Sequence, residues 1–319
     1  MGIQPLSIDY ILDLSIVRVW PELQDLLRRG VLPNTAVWKM PMLACEAVGG
    51  KPEQAMPVSA ALACLQLSII LIDDLLDADP RGEYHRIGAP ATANLAVALQ
   101  AAGLEVIMQS EADPIIKSAA VDSLNQMTLT TALGQYLDVQ NCADEDAYWR
   151  LVRTKSSPFF GAALHVGALY GGALATAERL RQIGYLYGEM IQLHDDLRDT
   201  MAVPANPDWA QGRSPLPILF AQIVEHPDRA RFLQLRPSAS NPDALAEAQV
   251  ILIRCGAISY CVDQLIRRHQ RAKEMLRSMT LVYRDGLEAL LEAQIRPVQE
   301  LFRAVGIVQL NGEEAIEGM

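Results

Sequence analysis

The sequence predicts an all-α fold, and three observations carry that expectation. Half of the 319 residues are hydrophobic while aromatics make up 6%, and the abundant Ala, Leu and Met are strong helix formers. Long stretches run without a breaker, and no strand-like alternation persists beyond a few residues. Proline and glycine gather instead at a few breaks, which divide the chain into about ten helices. No internal repeat and no linker-like stretch is present. A single domain over residues 1–319 is therefore expected, from a chain long enough to bury a large core.

Pro57–Asp77 opens with a proline, which suits the first turn of a helix, and continues to Asp77 without interruption. It is apolar nearly all round, which predicts a central, buried helix. Asp79-Pro80-Arg81-Gly82 is a turn signature. Ala91–Gln109 reads as the next helix. Ala112-Asp113-Pro114 opens another that should continue to about Asn141. Asp144–Tyr170 is expected as one helix kinked at Pro158, and Ala175–Thr200 as a helix apolar on most faces. Ala202–Pro217 then breaks the pattern with four prolines and a glycine. Such a long irregular stretch in a compact domain is frequently functional. Helix resumes at Ile218, with a polar break at Pro237–Pro242, and ends near Val305.

The formal net charge is −11, which argues against nucleic acid as a partner, since phosphates need a basic face. It leaves room for an anionic substrate if a metal ion inverts the local charge. The five cysteines, Cys45, Cys64, Cys142, Cys255 and Cys261, form no CxxC pair. They read as small buried hydrophobes rather than a disulfide framework. No signal peptide is evident at Met1–Asp13. No eighteen-residue window reads as a charge-free spanning helix. A soluble cytoplasmic protein is the expectation.

Two aspartate clusters stand out. Asp73, Asp74 and Asp77 end the most apolar segment, and Asp73 and Asp77, four residues apart, share a helix face. One such cluster could be an acidic helix end facing water. A helix C-terminus disfavours anions, however, and carboxylates on an apolar helix are costly to bury without cations. The same spacing recurs at Asp195, Asp196 and Asp199, again ending an apolar helix. Two copies argue for an oxygen-only site that holds Mg²⁺ bridged to substrate phosphates. Arg81, Lys155, Arg213 and Ser214 stand in fixed relation to the clusters as candidate diphosphate-binding groups. Gln135 and Asp138 share a helix face and could equally be a polar seam. His85 and His194 read as surface or supporting groups, because Mg²⁺ prefers oxygen.

These motifs resemble the trans-isoprenyl diphosphate synthases, the polyprenyl synthetase family. The DDxxD motif is present as Asp73–Asp77. The second motif appears as Ile191-Gln192-Leu193-His194-Asp195-Asp196-Leu197-Arg198-Asp199, with the family's glutamine kept at Gln192. The family's Arg-Gly is similar to Arg81-Gly82, its GQxxD element to Gly134–Asp138, its lysine-threonine element to Lys155-Ser156, and its GKxxxP loop to Gly212–Pro217. The likeness covers residues 40 to 220, with the motifs in the family's order. It implies an isoprenoid synthase fold, a helix bundle around a deep central cavity, in a homodimer. It also implies three Mg²⁺ between the clusters, held by Asp73, Asp74, Asp77, Asp195 and Asp199, that bind and ionise an allylic prenyl diphosphate. Gln192, Lys155 and Asp196 complete the implied catalytic set.

The chain departs from the pattern at the second substrate. The family's GGKRxRP motif supplies a lysine and arginine for isopentenyl diphosphate. Here an alignment on Pro41 puts Met40 at the arginine, and one on Glu46 puts Val37 there. Lys39 is the one basic residue nearby. Ile72 replaces a usual histidine, the segment before Arg81-Gly82 is short, and Arg213 replaces a lysine. The leading expectation is a trans-prenyltransferase. The alternatives are a class I terpene synthase acting on one C15–C20 diphosphate without isopentenyl diphosphate, and a non-catalytic partner subunit, which in this family commonly loses aspartates that are complete here. Ser68 and Ile69, five and four residues before Asp73, stand where the family sets chain length. The small Ser68 implies room for fifteen to twenty carbons or more.

Overall fold

The structure is a computed structural model that describes residues 8–30, 35–138 and 142–304. Among them there is no strand, and helices of eight or more residues number twelve. In chain order these are α1 (Pro21–Gly30), α2 (Met40–Ala47), α3 (Met56–Asp77), α4 (Ala89–Gln109), α5 (Pro114–Asp138), α6 (Glu145–Lys155), α7 (Ser157–Tyr170), α8 (Leu174–Thr200), α9 (Leu216–Ile223), α10 (Pro242–Arg254), α11 (Ala257–Arg277) and α12 (Asp285–Ala304).

The described residues form two compact units. One draws on residues up to 138, on Arg150–Gly188 and on Met275–Gly286. Its spine is α3, packed along α4. Small residues bring the two helices together: a Cβ on Gly103 of α4 would sit 2.9 Å from the carbonyl oxygen of Ala61 on α3, so any larger residue would force the pair apart. Ile11, Leu23, Leu27, Cys64, Leu67 and Leu99 belong to one apolar cluster there. Helix α7, buried along its whole length, packs on α2 and α5.

The other unit draws on residues 142–149, Glu189–Glu274 and 287–304. Its core gathers Trp209, Ile218, Phe232, Leu245, Ile251 and Leu252 from α9, α10 and the short helices before and between them. Burying aromatic and aliphatic side chains of this size contributes about 1.5–3 kcal/mol each.

Helix α3 matches its expected bounds to one residue, and it ends because Ala78 turns into the left-handed region at φ 51°. Three local expectations are corrected. Asp144–Tyr170 is two helices separated at Ser156 rather than one bent helix. Pro158 lacks an N–H to continue the ladder and lies in the first turn of α7 instead. The proline-rich stretch Ala202–Pro217 contains a short helix, Pro207–Gln211, capped by the Asn206 side chain. Hydropathy also reads differently once placed. Pro52–Asp77 and Ala89–Gln109 are long and apolar enough to cross a membrane, with mean hydropathy 2.1 and 1.4. For the first, 72% of that window is buried inside the protein, so its apolarity is that of a core helix.

Candidate active site

The first unit assembles four of the sequence-marked polar residues at the end of α3. Gln135 Nε2 donates to Asp73 Oδ1 at 2.7 Å. Lys155 Nζ donates to Asp138 Oδ2 at 2.5 Å and lies 3.2 Å from Asp73 Oδ1. The GQxxD and lysine elements thus converge on the first aspartate of the DDxxD motif. Burial disfavours the Lys155 ammonium, but the carboxylates of Asp73 and Asp138 outweigh it and hold its pKa above the ordinary value. The site therefore keeps a fixed positive charge at neutral pH.

Backbone contact makes this convergence possible. A Cβ on Gly134 would lie 2.4 Å from Lys155 N and 2.5 Å from Lys155 Cα. Only glycine lets α5 press against the end of α6, one residue before Gln135 and four before Asp138.

Asp74 is half-buried beside this group. Its carboxyl is pushed up to about 6, first by burial and then by the charges of Asp79 and Asp73. The nearby Arg81 charge pulls the other way without cancelling these effects. Arg81, expected in the anion pocket, is largely exposed, and its guanidinium pairs with Asp79 at 2.7 Å. Asp77 is half-buried at the last position of α3.

The second unit divides its three aspartates between two tasks. Asp196 is buried and receives three hydrogen bonds. Tyr148 Oη donates to Oδ2 at 2.8 Å, the Leu216 backbone N–H to Oδ2 at 2.7 Å, and Gln192 Nε2 to Oδ1 at 2.8 Å. Burial pushes its carboxyl up to about 6, against the pull of those donors. The Leu216 bond ties α8 directly to the start of α9, so Asp196 and Gln192 anchor the loop rather than project from the helix. Asp195 and Asp199 remain partly exposed on α8, bridged by Arg198 at 2.9 and 3.2 Å.

The loop before α9 is cross-tied. Gly212 takes φ 76°, the Arg213 N–H bonds to Asp208 O at 3.0 Å, and Arg236 Nη2 donates to Arg213 O at 2.6 Å. The Arg213 guanidinium lies 3.9 Å from Asp208. His194 is occupied elsewhere, donating from Nε2 to Gln294 O at 2.8 Å. His85 is exposed, its ring tilted by 34° against that of Tyr84.

Sequence reasoning missed the supports of this unit. Tyr148 had no signal, being one aromatic in an amphipathic stretch. Arg268 pairs with buried Glu189 at 2.6 Å and lies 3.6 Å over the Trp149 ring. In sequence it is one of many charges on α11, and only its packing distinguishes it.

Ser68 is fully buried against α4, its hydroxyl accepting from Gln100 Nε2 at 3.0 Å. Ile69 is half-buried. Lys39 is half-buried at the start of α2, next to Met40, which is fully buried in the core. Val37 is half-buried.

The carboxylates fit Mg²⁺. Among the described residues no three ligating side chains converge tightly enough to hold an ion by themselves. Mg²⁺ commonly takes one or two carboxylates and completes its shell with water and substrate phosphate. Asp73, Asp77, Asp195 and Asp199 are partly exposed, and a cation would relieve the carboxylate charge that bears on Asp74. Both clusters also lie at helix C-termini, where the helix dipole adds to that need.

Comparison with known proteins agrees with the fold and the motifs. Residues 39–250 match the family model described as polyprenyl synthetase. The chain is 28% identical over 265 residues to the short chain isoprenyl diphosphate synthase of Methanothermobacter thermautotrophicus, covering 78% of this chain and 81% of that protein. It is also 28% identical to the geranylgeranyl diphosphate synthase of Methanosarcina mazei, covering 80% of this chain and 81% of that one. In structure it is similar to a geranylgeranyl pyrophosphate synthetase from Pyrococcus horikoshii, with a TM-score of 0.81 at 22% identity over 91% of this chain and 94% of the other. The chain belongs to the polyprenyl synthetase family and is a prenyltransferase-type isoprenoid synthase.

Proposed function

We propose that this enzyme joins an allylic prenyl diphosphate to isopentenyl diphosphate, releasing diphosphate and making a short trans-prenyl diphosphate. Similarity to enzymes named for short-chain and geranylgeranyl products supports this reading. The observation that carries it is the Asp73–Gln135–Asp138–Lys155 cluster, in which three separated motifs meet at one carboxylate. Asp73 and Asp77 in one unit, and Asp195 and Asp199 in the other, are the residues that would hold Mg²⁺. When bound, Mg²⁺ neutralises charge on the departing diphosphate.

The chain's own groups supply the rest. Lys155, charged at neutral pH, sits where negative charge develops as the allylic C–O bond breaks, and fixed charges of this kind stabilise the transition state. Gln135 and Asp138 fix the orientation of Asp73 and Lys155. Asp196, held by Tyr148, Gln192 and the Leu216 N–H, keeps Arg213 and its loop in register with α8. Isopentenyl diphosphate meets fewer cations than is usual for the family, since Met40 is core and Lys39 is the basic residue at hand. Charge-assisted bonds dominate diphosphate recognition, so its KM is expected to be high.

Incubation with Mg²⁺ and geranyl, farnesyl or geranylgeranyl diphosphate, with and without isopentenyl diphosphate, tests the reading. A longer diphosphate formed only when both substrates are present supports it. Hydrocarbon or alcohol from the allylic substrate alone would replace it with cyclase chemistry. Asp73→Ala should abolish turnover. The same reading takes the enzyme as a homodimer, supported by the exposed Leu129, Leu133 and Tyr136 on one face of α5. Light scattering should give twice the chain mass of 35.0 kDa.

A further inference from the structure

The two aspartate clusters share a spacing but differ at one position. The first reads Asp73-Asp74-Leu75-Leu76-Asp77, the second Asp195-Asp196-Leu197-Arg198-Asp199. Where the first cluster presents a half-exposed Leu76, the second carries a cation. Arg198 is three residues from Asp195, so the two share a helix face, and its long side chain also reaches Asp199. Its Nη2 lies 2.9 Å from Asp195 Oδ1 and its Nε 3.2 Å from Asp199 Oδ1. One guanidinium thus occupies an oxygen of each carboxylate left free by the buried Asp196.

We propose that Arg198 is a built-in counter-ion of the second cluster, bridging Asp195 and Asp199 when no metal is present and weakening metal binding there because its tethered positive charge stays beside the ion. This rests on the reading of Asp195 and Asp199 as Mg²⁺-holding residues. The side chain is 69% exposed, so it can swing away at little cost, as exposed ion pairs are weak. The consequence lies in repulsion instead. A positive charge tethered beside a divalent ion opposes its binding even after the bridge opens, and ordinary salt does not fully screen it at a few ångströms. The first cluster has Leu76 at the corresponding position of its own motif, so its motif sets no such charge beside a bound ion.

The test is Mn²⁺ binding to the full chain without diphosphate, read from the free-ion electron paramagnetic resonance signal. Wild type, Arg198→Leu, Arg198→Lys, Asp195→Asn and the Arg198→Leu/Asp195→Asn double variant are compared, with circular dichroism to confirm folding. Arg198→Leu should bind Mn²⁺ about three- to tenfold more tightly, the scale expected for removing a unit charge beside a divalent ion in water. Arg198→Lys, which keeps the charge, should stay near wild type, and the double variant should lose the gain. Unchanged or weaker binding by Arg198→Leu overturns the proposal, as does a gain that persists in the double variant. If Asp195→Asn weakens binding while Arg198→Leu does nothing, the metal reading stands and the counter-ion role falls. If Asp195→Asn leaves wild-type binding unchanged, both fall.

Discussion

Lys155 gathers most of the chemistry of the first cluster into one ammonium. It touches Asp73, a candidate metal carrier, and Asp138, whose carboxylate holds it in place. Lys155→Met should lower kcat by about 10²- to 10³-fold, the usual loss when a preorganised charge-stabilising group is removed. Steady-state kinetics with the allylic substrate saturating would show it. Lys155→Arg keeps the charge but not the compact geometry, and should recover part of the rate; recovery equal to wild type would mean that position matters little. A second residue governs stability rather than rate. His165 is buried on α7, with Arg181 Nη2 2.8 Å from its ring nitrogens and Ser123 Oγ 2.9 Å from Nδ1. Burial, then the charge of Arg181, lowers its pKa from 6.5 to about 4. The folded value is below the unfolded one, so the neutral ring contributes stability that is complete above pH 6.5 and lost as pH falls through about 4. Urea unfolding from pH 7 to 4 should therefore show a shallower fall for His165→Gln than for wild type. Parallel curves would remove His165 from the account.

At the scale of elements, one glycine couples two helices to the site. Gly134→Ala places a methyl within 2.6 Å of the Thr154–Lys155 backbone, so α5 and α6 must separate. Overpacking of this kind costs about 1–3 kcal/mol, and here it also draws Lys155 away from Asp73. Urea denaturation should report the lost stability and kinetics a loss of rate beyond it; an unperturbed variant would show that the two backbones have room to spare. This coupling explains which parts of the fold were legible in the sequence. The bounds of α3 were readable because proline, unbroken apolarity and a turn signature all act locally. The break at Ser156 was half-visible, since Pro158 announces a disturbance but not whether the helix bends or restarts. The polar cluster could be anticipated as motifs, yet its pairing could not, because Lys155 reaches Asp138 and Asp73 across 17 residues and 82 residues of chain. Asp196 was misleading for a related reason. Sequence groups it with Asp195 and Asp199, whereas burial and the Leu216 N–H turn it inward to hold a loop. Arg81 likewise carries the right charge near the right motif, and its turn directs that charge to Asp79.

For the whole molecule, the question is whether metal belongs to the fold or only to the reaction. Each unit has its own apolar cluster. The cationic groups at the clusters, Lys155 and Arg198, already compensate part of the carboxylate charge without any ion. Nothing in that arrangement resembles a small domain whose folding depends on a metal. A net charge of −11 still leaves the protein self-repelling, and cations that settle on the carboxylates should relieve it. Removing divalent ions with a chelator is therefore expected to abolish turnover while leaving the circular dichroism spectrum intact and the melting temperature nearly unchanged. Adding Mg²⁺ together with inorganic diphosphate should raise the melting temperature, because a ligand that binds only the folded state stabilises it by about 2.7 kcal/mol at a hundred times its Kd. Unfolding on chelation would place the ion within the structure itself. Restored activity without any rise in melting temperature would mean that the ion and diphosphate bind too weakly, under the conditions used, to be held before substrate arrives.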